Sequence, residues 1–484
     1  MLSRLVNRVR DLFSAHNEPV KTPRVIAREE HGIDPSLVSI EAKKTCEALT
    51  RRGFKAYIVG GAVRDLLLGV TPKDFDVATD ATPEQVKRCQ RRAAIIGRRF
   101  QIVHVIFGRE IIECSTFRAL EGAGQRKDAA GRVVSDNVFG EMWEDAARRD
   151  FTINALYYDP ETEALYDYHR GFEDIAAKRL RMIGDPQMRY REDPVRMMRA
   201  VRIAAKLGFT IEPSTERPIP KMAGLLENVP SARLVDEVLK LLTCGHAVAC
   251  MKKLREEGLH KALLPMLDVI VSEPDGERFL MLALQRTDER IAVGKKISPS
   301  FLFGTLLWPQ VVKRWRYNEE TKRMTHMQAL HVAAVDVLET QCQQLNIQRR
   351  YQADMHDLWM LQARFERRTG KNPYSLVLHP RYRAAYDFML LRSLLGHVPA
   401  AQVAWWEAFA TADEETRAGM IESAQKEARQ TGSQANARRR APRPADGQDA
   451  VQTAERPAGR ARRRRRPSRR GVRPQRDGQE NGRA

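Results

Sequence analysis

One stretch, YIVGGAVRDLLLGVTPKDFDVAT over Tyr57–Thr79, constrains the fold more than any other part of this chain. Its pattern predicts a strand, a glycine turn, a short helix and a second strand that carries Asp74 and Asp76. Because side chains two apart on a strand face the same side, the two carboxylates are expected to converge in front of the glycines. The predicted elements are a strand over Lys55–Val59, a turn at Gly60-Gly61, a helix over Ala62–Leu68 ended by Gly69, and the second strand.

This arrangement suits phosphate chemistry. Two carboxylates on one face can hold two Mg²⁺ ions about 4 Å apart for displacement at phosphorus. Gly61 lets the backbone approach a ligand, and Arg64, one turn into the helix, can add a charge-assisted contact to a triphosphate. A hairpin with a merely solvated Asp pair is the alternative, and a D-x-D motif alone is weak evidence. The combination with the glycines and the arginine favours a functional site.

The strings GGAVRDLLLG and DFDVAT resemble the class II nucleotidyltransferases, a family that contains CCA-adding tRNA nucleotidyltransferases and bacterial poly(A) polymerases. The resemblance implies two Mg²⁺ ions held by Asp74 and Asp76, with ATP as substrate. A second string, RRDFTIN, is similar to another motif of the family. It implies that Asp150 is a third catalytic acidic group and that Arg149 contacts the nucleotide.

A third string, EDPVRMMRAVR, resembles the base-recognition motif of the family. Drawn as one helix over 190–209, it places Asp193 and Arg196 beside the apolar stripe. A buried salt bridge between them is one explanation. The other is base recognition, since Asp only accepts and Arg only donates hydrogen bonds, a pattern that fits adenine or cytosine. Arg199 matches a later position of the motif and is assigned to nucleotide binding, and Arg202 to a structural or phosphate role.

Glu113 interrupts a β-branched run that the sequence predicts to form a hairpin around 108–110. It lies either on an exposed edge or near the metals, and strand position alone leaves both alternatives open. The Gly-rich segment 119–137 is predicted to be a mobile loop near the nucleotide.

Charge and composition point to a polyanionic partner. The formal net charge is +20, and residues 438–484 contain 16 Arg against 5 acidic residues, so the rest of the chain is basic too. Such a balance points to nucleic acid or an acidic membrane surface as partner, and the family resemblance implies RNA. The six cysteines lack C-x-x-C spacing, which fits a reducing cytoplasm and indicates neither zinc nor a disulfide framework. No apolar run reaches the ~20 residues of a membrane span, although the basic N-terminal segment suits weak membrane-surface contact.

The expected fold class is an α+β nucleotidyltransferase head, a small mixed sheet with helices, followed by an all-α neck and body and a disordered basic tail. The low apolar content of the tail argues against folding. The predicted domains are a basic N-terminal segment (1–22), the catalytic head (23–170), the neck for base recognition and RNA binding (171–245), an RNA-binding helical body (246–412) and the Arg-rich tail (413–484).

The resemblance implies a template-independent adenylyltransferase that adds AMP from ATP to RNA 3′ ends, of mRNA and other RNAs, in the cytoplasm and alongside RNA-decay proteins. The GRRF block at 97–100 and the Arg-rich C-terminus favour polyadenylation. CCA addition to tRNA is the alternative activity, because the base-recognition pair accommodates both A and C. A non-catalytic RNA-binding protein on a decayed scaffold is the alternative of another class.

Overall fold

The computed structural model describes residues 20–97, 101–120, 126–127, 133–135, 138–260, 274–345 and 347–440. The chain divides into two compact units, 1–425 and 426–484. The predicted N-terminal segment up to residue 19, the Arg98–Phe100 part of the GRRF block and the tail beyond residue 440 lie outside the described residues. No described helix combines the length and apolar character needed to cross a membrane.

The described part of the head is built on an eight-stranded mixed sheet with strand order β1-β10-β9-β2-β3-β6-β5-β4. β2 and β3 are antiparallel, whereas β3 and β6 are parallel. The predicted mixed sheet is thereby confirmed. The strands of this sheet are β1 (Arg24–Ile26), β2 (Ala56–Val59), β3 (Asp76–Thr79), β4 (Ala93–Ile96), β5 (Ile102–Phe107), β6 (Glu110–Thr116), β9 (Leu156–Tyr158) and β10 (Leu165–Asp167).

Short helices of the head join these strands and carry several site residues. The predicted short helix after the glycine turn is present as α3, and a 3-10 turn over Thr152–Asn154 follows Asp150. The helices are α1 (Arg28–His31), α2 (Ile40–Thr50), α3 (Gly61–Leu67), α4 (Pro83–Cys89), α5 (Met142–Ala147) and α6 (Gly171–Ala176).

The neck and body that follow are almost entirely helical, as predicted. Apart from a two-stranded parallel pair, β11 (Arg179–Leu180) and β12 (Thr210–Ile211), the described residues form helices and turns. The helices are α7 (Pro186–Glu192), α8 (Val195–Leu207), α9 (Pro213–Glu216), α10 (Ile219–Met222), α11 (Ser231–Leu242), α12 (Ala247–Glu256), α13 (Pro274–Ala292), α14 (Pro299–Glu320), α15 (His326–Leu345), α16 (Arg349–Phe365), α17 (Asn372–Val377), α18 (Tyr382–Leu394), α19 (Ala400–Thr411) and α20 (Glu414–Arg440).

Two predicted elements near the site are wrong. The strand β3 begins at Asp76, so Asp74 lies ahead of the strand rather than on it. The helix predicted over 190–209 is two helices, α7 and α8, separated at Asp193-Pro194. Proline disfavours helical geometry at the residue before it, and Asp193 accordingly takes an extended conformation with φ −147° and ψ 92°.

Two segments that the sequence predicts to be a mobile loop and a disordered tail contain regular secondary structure. Within the predicted mobile loop 119–137, β7 (Arg126–Lys127) pairs with β8 (Val133–Ser135). The predicted disordered tail from 413 begins with α20, because this stretch contains many good helix formers. Ile421 and Ala424, spaced i,i+3 on α20, are both buried. The other predicted domain boundaries stay predictions.

Gly171, the first residue of α6, makes a close contact that fixes the turn carrying Asn154. A Cβ atom at this position would lie 2.2 Å from the carbonyl oxygen of Thr152. We expect Gly171→Ala to lower the free energy of unfolding by about 3 kcal/mol, as overpacking does. Urea unfolding measures this loss. Gly224→Ala is the control, because a Cβ there meets nothing within 4 Å, and equal losses in both variants would contradict the prediction.

Candidate active site

A polar cavity of about 200 Å³ lies where the glycine turn, the start of β3 and helix α8 meet. Its lining brings together residues that are far apart in the sequence. Six of the predicted site residues contribute to it, and Gly60, Asn154, Arg202 and Lys206 add to its polar surface. The six are Gly61, Arg64, Asp76, Arg149, Asp150 and Arg199.

Gly60 closes the strand β2 in a conformation that side chains rarely adopt, with φ +74° and ψ −133°. The helix α3 begins directly after this turn, at Gly61. A Cβ atom on Gly60 would lie 3.4 Å from Nη1 of Arg149 and 4.0 Å from Oδ2 of Asp76. Glycine therefore permits both the backbone conformation and the close approach of these two charged side chains.

Asp76 is the first residue of β3 and is paired with Val59 of β2 on one side and Glu113 of β6 on the other. The loss of water around Asp76, together with the negative charge of Glu113 and of Asp74, raises the pKa of Asp76 to about 6, although the Arg149 guanidinium opposes the shift. Such crowding of acidic groups is relieved by a bound cation or by protonation.

Glu113 is the residue that the sequence could not place. Its parallel pairing with Asp76 puts the two side chains on the same face of the sheet, and Glu113 is exposed, with Oε1 at 3.7 Å from Nε2 of His104. An acidic residue inside a β-branched run is a signal for a functional carboxylate that the sequence does contain. The sequence does not show the strand order that makes β6 the neighbour of β3.

Asp74 lies two residues before β3 and is exposed. It is not part of the cavity lining, but it is close enough to Asp76 to contribute to the raised pKa of that carboxyl group. Among the described residues, the side chains of His, Cys, Asp and Glu form no group of three or more that is already arranged to hold a metal ion.

Asp150 is anchored by protein groups on both oxygens. Oδ2 accepts hydrogen bonds from Nε and Nη2 of Arg199 at 2.8 and 2.6 Å. Oδ1 accepts from the backbone N–H of Phe151 at 2.8 Å and from Nδ2 of Asn154 at 3.1 Å. Burial alone would raise the pKa of Asp150, but Arg199 and these hydrogen bonds outweigh it and hold the pKa at about 2.

Arg64 is buried beneath the glycine turn and has its donors engaged. Nη1 donates to Oδ1 of Asn154 at 2.7 Å, while Nε and Nη2 donate to Oδ1 of Asp65 at 2.9 and 2.6 Å. Asn154 thus joins Arg64 to Asp150, so three sequence motifs are connected by hydrogen bonds. In this arrangement Arg64 supports the wall of the cavity.

Arg149 is held in place from behind by an acidic group and an aromatic ring. Nη2 donates to Oδ2 of Asp145 at 3.1 Å and Nε donates to the Tyr157 hydroxyl at 3.1 Å. That hydroxyl in turn donates to Oδ2 of Asp145 at 2.7 Å, and the guanidinium carbon of Arg149 lies 5.1 Å from the centre of the Tyr157 ring. Asp145 and Tyr157 were not identified from the sequence.

The predicted base-recognition pair is not among the residues lining this cavity. Asp193 accepts from Nη2 of Arg233 at 2.6 Å. Arg196 donates to Oε2 of Glu192 and to the carbonyl oxygen of Arg189, both at 2.9 Å. The alternative of a salt bridge between Asp193 and Arg196 is therefore wrong: the two side chains have separate partners, because the break at Pro194 takes Asp193 out of the helix.

Three family models match this chain. The model described as "Poly A polymerase head domain" matches residues 56–181, which contain the cavity residues of the head. The model described as "Probable RNA and SrmB- binding site of polymerase A" matches 208–270, and that described as "Polymerase A arginine-rich C-terminus" matches 322–470.

A Poly(A) polymerase I of Escherichia coli O6:H1 is 40% identical over 460 residues, which cover 92% of this chain and 99% of that protein. A CCA-adding enzyme of Bacillus subtilis is 37% identical over 227 residues, covering 47% of this chain and 56% of that protein. The solved structure of the Bacillus stearothermophilus CCA-adding enzyme in complex with CTP has a TM-score of 0.44 and 24% identity, covering 81% of this chain and 98% of that chain.

The sequence similarity to the CCA-adding enzyme extends over about half of each chain, whereas the similarity to Poly(A) polymerase I runs through nearly the whole length of both proteins. The head, the RNA-binding region and the arginine-rich C-terminus all match models of the same family. The chain therefore belongs to the poly(A) polymerase I family of class II nucleotidyltransferases.

Proposed function

We propose that this protein is a template-independent polynucleotide adenylyltransferase that transfers AMP from ATP to RNA 3′ ends and releases pyrophosphate. The observation that carries the proposal is the 40% identity to a Poly(A) polymerase I over 92% of this chain. A cavity that unites the glycine turn, Asp76 and several arginines provides the chemical groups for this reaction.

We propose Asp74, Asp76 and Glu113 as the residues that would hold Mg²⁺. The donor set fits, since Mg²⁺ prefers carboxylate oxygens and the crowding of acidic groups around Asp76 favours a cation there. Bound Mg²⁺ supplies activation of the attacking hydroxyl and neutralisation of the triphosphate. Asp150 already has both carboxylate oxygens occupied by protein donors, so we assign it to positioning Arg199.

The basic residues of the cavity are suited to binding the triphosphate. Arg149 faces Asp76 across Gly60, and Arg202 and Lys206 line the wall formed by α8. Guanidinium groups pair with phosphate through charge-assisted hydrogen bonds, and electrostatic stabilisation of the transferring phosphoryl group is the main source of catalysis in such reactions. Arg64 and Asn154 would keep these groups in position.

Base recognition by Asp193 and Arg196 stays a proposal that rests on the motif. It requires Asp193 to exchange its hydrogen bond from Arg233 for one from the base. Association with RNA-decay proteins, contact of the N-terminus with a membrane surface and a cytoplasmic location likewise stay predictions.

Purified protein given a generic RNA with either ATP or CTP provides the main test. We expect long A tails with ATP and little incorporation of CTP, because the chain belongs with poly(A) polymerases rather than with CCA-adding enzymes. Gel electrophoresis of labelled RNA measures the products. Addition that stops after C, C and A on a tRNA substrate would overturn the proposal in favour of CCA addition, and RNA binding without any incorporation would favour a non-catalytic protein.

The role of Glu113 can be tested separately. We expect Glu113→Gln to raise the Mg²⁺ concentration needed for half-maximal rate by roughly 10–100-fold, the range seen when groups that support a metal site are removed. A Mg²⁺ titration of the initial rate measures the shift. Glu110→Gln, three residues earlier on β6 and on the opposite face of the sheet, serves as control, and an unshifted Mg²⁺ requirement in Glu113→Gln would exclude the carboxylate from the metal site.

A further inference from the structure

Two cysteine sulfurs lie next to each other where α11 ends and α12 begins. The Sγ atoms of Cys244 and Cys250 are 3.5 Å apart. A disulfide needs a separation of about 2.0 Å, so the two sulfurs have to approach each other by about 1.5 Å to form the bond. Neither residue has a place in the proposed adenylyl transfer.

The backbone around the two sulfurs is held firmly. Cys244 donates to the carbonyl oxygen of Leu241 at 3.2 Å. The carboxylate of Asp288, from α13, accepts hydrogen bonds from the first N–H groups of α12, those of Ala247 at 2.8 Å and Val248 at 3.1 Å. The sulfurs therefore face each other because the folded chain fixes the short connection between the two helices.

The two cysteines differ in the way that stepwise oxidation requires. Cys244 is half-buried and accessible, whereas Cys250 is fully buried. The hydrogen bond from Cys250 and the nearby positive charge of Arg202 lower the pKa of Cys244. By contrast, burial raises the pKa of Cys46, and that of Cys114 to about 12. A thiolate is the nucleophilic form, so Cys244 is the cysteine suited to react first.

We propose that Cys244 and Cys250 form a reversible intramolecular disulfide when the protein meets a hydroperoxide, and that this bond slows nucleotide incorporation through Arg202. The Cys244 thiolate attacks the peroxide and breaks the O–O bond, which leaves a sulfenic acid and an alkoxide, or hydroxide when the oxidant is hydrogen peroxide. The Cys250 thiol then attacks the sulfenic sulfur, forming the S–S bond and releasing water. The two thiols lose two electrons, and the peroxide gains them.

Arg202 connects the cysteines to the nucleotide cavity. The Sγ of Cys250 lies 4.0 Å from the carbonyl oxygen of Arg202, and the side chain of Arg202 lines the cavity. Oxidation removes the negative charge that Cys244 places near this guanidinium and shifts the sulfur packed against its backbone. Misplacement of a positioned group by about 1 Å can cost up to 10²-fold in rate.

Mass spectrometry of the full-length protein tests the bond directly. Both cysteines lie in one tryptic peptide, Leu241–Lys252. After hydrogen peroxide and alkylation of free thiols, we expect this peptide to be unalkylated and lighter by the mass of two hydrogens, and dithiothreitol to reverse the change. In Cys250→Ser we expect a sulfenic acid at Cys244 that dimedone traps. A peptide that stays doubly alkylated, or that carries only higher oxides of Cys244, would overturn the proposed site.

The effect on rate rests on the proposed adenylyl transfer, whereas the mass measurement does not. A failure of the proposed disulfide can therefore be told apart from a failure of the proposed function. We expect peroxide to slow ATP incorporation by roughly tenfold in the unmodified chain and to have no such effect in Cys244→Ser or Cys250→Ser, whose untreated rates stay normal. Cys89→Ser, which removes another half-buried cysteine, should respond like the unmodified chain. A disulfide that leaves the rate unchanged would overturn the link through Arg202.

Discussion

Replacing Asp76 with Asn is expected to abolish AMP incorporation while the protein stays folded. Asn keeps the shape of the side chain but removes the charge that we propose holds Mg²⁺ beside the triphosphate. The expected loss in rate is about 10³-fold or more, equivalent to ~4 kcal/mol of transition-state stabilisation. Single-turnover incorporation of labelled ATP measures it.

The same substitution has an opposite expected effect on stability. The pKa of Asp76 in the folded protein is about 6, above the ordinary value of 3.8, so folding disfavours the ionised carboxylate. This group therefore reduces stability increasingly as the pH rises from about 4 to 6, and the penalty is fully present at pH 7; the penalty is small because the Asp76 side chain is exposed to solvent. We expect Asp76→Asn to unfold at a higher urea concentration than the unmodified chain at pH 7.

Asp80→Asn is the matched control, since Asp80 follows the other end of β3 and accepts a hydrogen bond from the backbone N–H of Lys55. It should keep its activity. An Asp76→Asn variant that is folded and makes tails at the normal rate would refute the proposed metal site.

Replacing Asp150 with Ala is expected to lower the free energy of unfolding by about 3 kcal/mol, because it leaves the largely buried Arg199 guanidinium without its acidic partner. Activity should fall as well, since Arg199 lines the cavity. The Mg²⁺ requirement of the residual activity should stay unchanged, in contrast to that of Glu113→Gln. Urea unfolding and Mg²⁺ titration measure the two effects.

The pH dependence of Asp150 has the opposite sign to that of Asp76. Its folded pKa of about 2 lies below the ordinary 3.8, so its contribution to stability is present above pH 4 and is lost as the pH falls from about 4 to 2. Asp150→Ala should lose this part of the acid sensitivity. A double variant with Arg199→Ala should recover part of the stability, and a shifted Mg²⁺ requirement in Asp150→Asn would instead support a metal role.

The glycine turn and the short helix α3 were predictable because they depend on neighbouring residues. A glycine pair after a strand favours a turn, and the apolar run after Gly60 and Gly61 has helical spacing. The motif resemblance added Arg149, Asp150 and Arg199, and the fold does bring these three residues into one cavity with Asp76. Local sequence is therefore sufficient to predict the turn and the helix, whereas these three residues follow from the family resemblance.

The errors have identifiable physical causes. The helical spacing of the apolar residues continues through Pro194 and predicts one helix, but proline disfavours a helix at the preceding residue. The predicted single helix therefore misplaces Asp193. In the structure Asp193 accepts a hydrogen bond from Arg233, 40 residues further along the chain. The composition of the segment after residue 413 predicts disorder, but its first turns contain good helix formers and bury Ile421 and Ala424.

The sequence alone determined which acidic and basic residues are candidates for the site, because they belong to short motifs. It also determined the glycine turn, because backbone conformation there depends on neighbouring residues. Only the tertiary structure decided which acidic groups remain accessible. It placed Glu113 beside Asp76 through the parallel pairing of β6 with β3, and it engaged both oxygens of Asp150 through Arg199, Asn154 and Phe151. Strand order and contacts between distant segments depend on the packing of the whole chain. They determine the pKa of each carboxyl group and whether its oxygens are free to bind a ligand.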